Sequence, residues 1–127
     1  ILNDVSARDV QTAHKQWYFG KSLDGFTPIG PCIVTADAFA DYPPRLGIRS
    51  FVNGEKRQDS NTALQIFDID HVIAELSQGM TLKAGTIIAT GTPAGVGMGM
   101  DPPQFLKPGD VVRCEIEGIG TLTNPVK

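Results

Sequence analysis

The apolar and polar positions of this chain change period several times, and each change marks an element. Residues 111–117, VVRCEIE, alternate: Val112, Cys114 and Ile116 face one way and Arg113, Glu115 and Glu117 the other, the period-two pattern of a half-buried strand. The turn KPGD precedes them, and a last strand around TLTN follows. Residues 46–60, LGIRSFVNGEKRQDS, carry a hairpin signal, because Asn53-Gly54 suits a type I′ turn in which both central residues need positive φ. In DIDHVIAELSQGM the period lengthens to that of a helix. Val72, Ile73 and Leu76 make its apolar stripe, Asp68 or Asp70 can cap it, and Gly79 can end it in the left-handed conformation. Two short apolar runs, CIVT at 32–35 and GTIIAT at 85–90, read as strands, the second of a buried type. At the start, Ile1 to Asn3 read as the end of a strand entering a turn. Ser6, with Asp9 three residues later, offers a variant capping box for a short helix in ARDVQTAHKQW.

Composition supports a β-rich reading. Fourteen glycines and nine prolines in 127 residues demand many turns, which suits strands with irregular connections better than a helical bundle. With 41% hydrophobic and 20% charged residues the chain reads as soluble and globular, and no repeat, low-complexity tract or linker divides it. A net charge of −3 argues against a nucleic-acid surface, which normally carries a basic stripe. Apolar runs of only a few residues leave no segment to span a bilayer. The two cysteines, Cys32 and Cys114, form no CxxC pair and read as buried thiols in a reducing compartment, hence a cytoplasmic location.

The chemistry concentrates in three places. In NDVSARDVQ, Asp4, Arg8 and Gln11 are spaced i, i+4, i+7 and share one face if the backbone there is helical. An acid, a cation and an amide converging in that way suit a metal and an anionic oxygen together; the plainer alternative is a solvated face with one i,i+4 ion pair. Lys21, in GKSLDGF, lies near Trp17, Phe19 and Phe26, a setting that suits an ammonium used against a carboxylate or enolate; a surface charge is the plainer reading. The glycine-rich ATGTPAGVGMGMDPP matches neither a P-loop nor a dinucleotide fingerprint. It reads instead as a bare-backbone loop admitting a small ligand, with Thr90 or Thr92 supplying a hydroxyl. His14 and His71 stand alone, without metal-type spacing, and no serine sits in a GxSxG elbow.

Taken in order, NDVSARDVQ, KQWYFGKSLDGFTPIGP, VNGEKRQDSNT, IIATGTPAGVG and LKPGDVVRCEIEGIGTLTN span nearly the whole chain. Together they resemble the fumarylacetoacetate hydrolase family, in the branch that includes oxaloacetate tautomerases and hydroxymuconate isomerase-like enzymes. The resemblance implies a mainly β fold with short helices, a mixed β-sandwich roll, here incomplete on its N-terminal side, with residues 1–127 as the C-terminal portion of a longer catalytic domain. It implies one divalent cation, Mg²⁺ or Mn²⁺, with Asp4 in the place of the family's aspartate ligand. It places Arg8, Gln11 and Lys21 as catalytic and substrate-holding residues and Thr92 as a substrate contact. The substrates implied are small keto acids or 1,3-dicarbonyl acids, processed through an enolate by C–C hydrolysis, decarboxylation or keto–enol isomerisation, in a homodimer. One departure counts against a complete site. The family's Glu-x-Glu ligand pair belongs upstream of the aspartate, and the only such triplet here, Glu115-Ile116-Glu117, lies in the C-terminal strand. A non-catalytic β-domain that completes a dimer or a partner chain is therefore the second reading.

Overall fold

A computed structural model describes residues 1–15 and 17–127, with His14 described in its backbone alone. Its centre is a four-stranded antiparallel sheet in the order β2-β1-β3-β4, formed by β1 (Gly47–Val52), β2 (Glu55–Asn61), β3 (Val111–Ile116) and β4 (Gly120–Pro125). Two helices, α1 (Arg8–His14) and α2 (Ile69–Ser77), and short 3₁₀ turns complete the described elements, so the fold is mainly β with short helices.

The expected hairpin is β1–β2. Asn53 and Gly54 take φ of 52° and 85°, the double positive that the turn requires. The Asn53 amide also holds the hairpin to β3: its Nδ2 donates to Asp110 Oδ1 at 2.8 Å, and its Oδ1 accepts from the Val111 amide at 2.9 Å. The β1–β2 register breaks once. Ser50 pairs with Gln58 and Phe51 with Lys56, which leaves Arg57 as the extra residue of a bulge.

Directly opposed residues of an antiparallel pair share a face, so the register sorts the side chains. On one face lie Ile48, Ser50, Val52, Gln58, Val112, Cys114, Ile116 and Leu122, all buried or half-buried. The opposite face is largely charged: Arg49 and Lys56 both bond Asp59, and the Arg113 guanidinium lies 4.2 Å from the Phe51 ring centre. The alternation expected of VVRCEIE is what divides the two.

Three local expectations fail. The runs 32–35 and 85–90 form no strand, and Ile33 is 90% exposed. Neither run has a neighbouring strand among the described residues, and apolar composition without a ladder partner does not make a strand. Asp68 does cap α2, accepting from the His71 amide at 2.7 Å, but Gly79 is absent from the positive-φ glycines; the Gly79 and Met80 amides both reach back to Leu76 O instead. Cys32 is exposed, not buried, while Cys114 is half-buried and its thiol is pushed up in pKa by that burial.

The sheet carries only a thin core. Val112, 8% exposed, is the one buried hydrophobic residue among the described residues. The accessible surface is 9174 Å². A closed monomer of 13.6 kDa would expose roughly 6,600 Å². Much of the excess is apolar, including Ile33, Leu64, Ile66 and Ile87.

Candidate functional site

The opening segment is fastened to the chain that follows it. Leu2 bridges Ile29, and the Asn3 amide donates to Pro28 O at 3.1 Å. Beyond that bridge the chain leads to the sheet: Gly30 lies against Leu122, and Cys32 Sγ is 3.7 Å from Ile119 O. The polar cluster of the first residues is thereby anchored to the edge where β3 turns into β4.

Helix α1 starts later than the capping box predicts. Ala7 stands at its N-cap without a side-chain bond, and the Ser6 hydroxyl donates to Asp4 O at 3.2 Å. Asp4 therefore lies ahead of the helix, and the shared helical face of Asp4, Arg8 and Gln11 does not form as a single stripe. The structure divides the three. Arg8 Nη1 donates to Gln11 Oε1 at 2.6 Å, one helical turn along, and Gln11 is only 2% exposed. The Asp4 carboxylate pairs with Lys21 Nζ at 2.5 Å, across seventeen positions of sequence. No Asp4–Arg8 ion pair forms.

What brings Lys21 to Asp4 is the 3₁₀ turn Phe19–Lys21 packed on α1. The Ala7 amide donates to Gly20 O at 2.9 Å. Gly20 is buried so closely that a Cβ there would stand 2.8 Å from both Gln11 Cβ and Gln11 N and 2.9 Å from Ala7 O. Only glycine permits that approach. The partly exposed Asp4–Lys21 pair contributes about 0–1 kcal/mol to stability; its consequence is the placement of a carboxylate and an ammonium side by side. Arg8 and Lys21 are then two cations on adjoining elements, suited to anionic oxygens.

Thr92 stands apart from this group, and among the described residues no hydrogen bond joins it to Asp4, Arg8, Gln11 or Lys21. It is held by β2: Gln58 Nε2 donates to Thr92 Oγ1 and to Pro93 O, both at 2.8 Å. The glycine loop needs its glycines chiefly for packing on its own chain. A Cβ at Gly95 would overlap Arg57 O, and one at Gly97 would overlap Gln104 O. Gly91, with φ of 101° and nothing within 4 Å of a built Cβ, keeps the open backbone expected of a ligand loop. The bridging amide of Gln58 was not foreseen, since its partners are distant in sequence and no local pattern marks it.

The remaining candidates have structural work. Glu117 Oε2 accepts from the Gly47 amide at 3.0 Å and Glu115 pairs with Arg113, so the C-terminal Glu-x-Glu is committed to the sheet. His71 stacks on Phe67 with ring centres 4.7 Å apart; the His14 side chain and Gln16 lie outside the described residues. No group of three or more His, Cys, Asp or Glu side chains is placed to grip a cation among the described residues. The one expected ligand, Asp4, is already engaged by Lys21. These residues alone do not fit a closed divalent-cation site, which needs several oxygen ligands. No helix among them is long and apolar enough to cross a membrane.

Comparison with known proteins matches this arrangement to relatives along its whole length. The fumarylacetoacetate (FAA) hydrolase C-terminal family profile covers residues 1–127. An oxaloacetate tautomerase of Bacillus subtilis is 50% identical over 126 residues, covering 99% of this chain and 42% of the relative. A mitochondrial oxaloacetate tautomerase of Xenopus laevis is 50% identical, covering 99% of this chain and 40% of the relative. The solved fumarylacetoacetate hydrolase of Exiguobacterium antarcticum superposes with a TM-score of 0.94 at 56% identity, over 99% of this chain and 45% of that one. A 5-carboxymethyl-2-hydroxymuconate delta-isomerase of Mycobacterium smegmatis gives 0.84 at 46% identity, over 98% of this chain and 45% of that one. The chain thus spans less than half the length of these relatives, and over that span it belongs to the fumarylacetoacetate hydrolase family.

Proposed function

We propose that the protein containing this chain interconverts keto and enol forms of a short 2-keto diacid, oxaloacetate being the first candidate. The observation that carries the reading is the pairing of Lys21 with Asp4 beside the Arg8–Gln11 bond, which puts two cations on adjoining elements. A keto diacid offers a carboxylate and, as it enolises, a developing oxyanion. The planar Arg8 guanidinium suits the carboxylate, and the Lys21 ammonium suits the oxygen that gains charge. Buried Gln11 fixes the guanidinium through its Oε1 and so sets the approach of the carboxylate. Thr92 adds a hydroxyl from the loop after residues 85–90. The 50% identity to two oxaloacetate tautomerases supports oxaloacetate as the first candidate.

The cation implied by the resemblance, Mg²⁺ or Mn²⁺, belongs to the proposal for the full-length protein, with Asp4 as the ligand this chain contributes. A homodimer and a cytoplasmic location belong to it as well. The test is enol–keto exchange of oxaloacetate, followed by ultraviolet absorbance, in the full-length protein with Mg²⁺. Asp4→Asn is expected to remove most of the turnover; wild-type turnover and cation affinity in that variant refute the assignment.

The exposed apolar side chains favour a second reading, a non-catalytic β-domain whose open faces a partner chain covers. A full-length protein inactive on every short keto acid, yet binding a partner through this sheet, would establish it.

A further inference from the structure

Gln58 sits beside the Arg57 bulge, on the half-buried face of the sheet, under the loop that carries Thr92. Its amide makes three bonds: Ser50 Oγ with Oε1 at 2.8 Å, and Nε2 with Thr92 Oγ1 and Pro93 O at 2.8 Å each. A hydroxyl can donate or accept, so two of these contacts are ambiguous alone. The third is not. A carbonyl oxygen only accepts, so the amide nitrogen must face Pro93 O. The same nitrogen then faces Thr92, whose oxygen must accept. The amide oxygen is left to Ser50, whose hydroxyl must donate. The chain of polarity runs from Ser50 through Gln58 to Thr92, and it leaves the Thr92 proton unused by these bonds on an exposed residue.

We propose that Gln58 is a positioning residue for Thr92: by donating to Oγ1 it keeps the Thr92 hydroxyl turned outward as a hydrogen-bond donor, a setting that selects an anionic oxygen of the ligand. The bulge at Arg57 helps to aim Gln58. Gly95 lets the loop settle on Arg57 O, which keeps Thr92 and Pro93 within reach of the amide. This rests on the keto-acid reading above, with Thr92 as the ligand contact.

The test uses the full-length protein and oxaloacetate as probe, with KM and kcat measured separately. Thr92→Val is expected to raise KM about tenfold, the scale of one lost hydrogen bond to a charged group. Gln58→Met, close in shape and without a donor, should raise KM several-fold with kcat nearly unchanged. The double variant should be no worse than Thr92→Val alone. If Gln58→Met does not fold, Ser50→Ala carries the same test: a smaller rise in KM that vanishes when Thr92→Val is already present. Effects of the two sites that multiply overturn the proposal, as does a wild-type KM in the Gln58 variant beside a raised KM in Thr92→Val; both results leave the keto-acid reading standing. A wild-type protein with no turnover of any short keto acid overturns that reading and this proposal together.

Discussion

Replacing Gly20 by alanine tests the packing that brings Lys21 to Asp4. The added Cβ would stand 2.8 Å from Gln11 Cβ and Gln11 N and 2.9 Å from Ala7 O. Carbon–carbon contacts are comfortable only at about 3.5–4.0 Å, so the 3₁₀ turn must withdraw from α1 by roughly 0.7 Å. None of the three atoms is the flexible end of a side chain, so neither side yields easily. Such overpacking costs about 1–3 kcal/mol. Withdrawal also strains the Ala7–Gly20 backbone bond, whose loss adds about 0.5–1.5 kcal/mol. The expected destabilisation is therefore about 1.5–4.5 kcal/mol, read from urea unfolding of the full-length protein. Lys21 follows directly in sequence, and displacement approaching 1 Å of a positioned group can cost about a hundredfold in rate. A folded variant should accordingly lose ten- to a hundredfold in oxaloacetate exchange. Gly79→Ala is the control: Gly79 has no positive φ and nothing within 4 Å of a built Cβ, so stability should hold or rise by about 0.4–1 kcal/mol. Gly20→Ala within about 0.5 kcal/mol of wild type, or an equal loss at Gly79, refutes the reasoning, since the first lies inside the range of an ordinary surface change.

Two further outcomes follow from the site and the hairpin. Asp110 is held below its ordinary 3.8, first by the Asn53 amide and then by the Lys107 backbone N–H. A depressed carboxylate stabilises the fold above the unfolded value and loses that contribution as pH falls through the folded one. Asn53→Ala should therefore move the Asp110 pKa up toward 3.8 in an NMR titration. Its stability deficit, which includes about 1–2 kcal/mol for placing alanine at positive φ, should be largest at neutral pH and narrow below 3.8; a deficit that grows on acidification contradicts the assignment. The 127-residue chain by itself should bind Mg²⁺ only weakly, because one carboxylate does not make a site for that ion. Micromolar binding in titration calorimetry would show that the cation has other ligands here.

Several features were legible in the sequence because their causes lie within a few residues. The sign of φ at Asn53 and Gly54 is a steric property of those two side chains, and the hairpin formed where they stand. Asp68 caps α2 because its carboxylate reaches an amide three positions on. The alternation of residues 111–117 sorted the faces of β3 because a strand's period is two whatever it packs against. The resemblance proposed Asp4, Arg8, Gln11, Lys21 and Thr92 as site residues from short motifs. What tertiary structure alone decided is which groups meet. The runs 32–35 and 85–90 have strand-like composition but no neighbouring ladder, and a strand is completed only by another backbone edge. Asp4 finds Lys21 and not Arg8 because α1 begins after it and the Gly20 turn docks against that helix. Gly95 and Gly97 are set by carbonyls of residues distant in sequence or just beyond the loop, and the Gln58 amide closes a bond across thirty-four positions. Local sterics and hydrogen bonding set the conformation of each segment; the approach of one segment to another is set by shape and by unpaired polar groups, and that is written only in the folded chain.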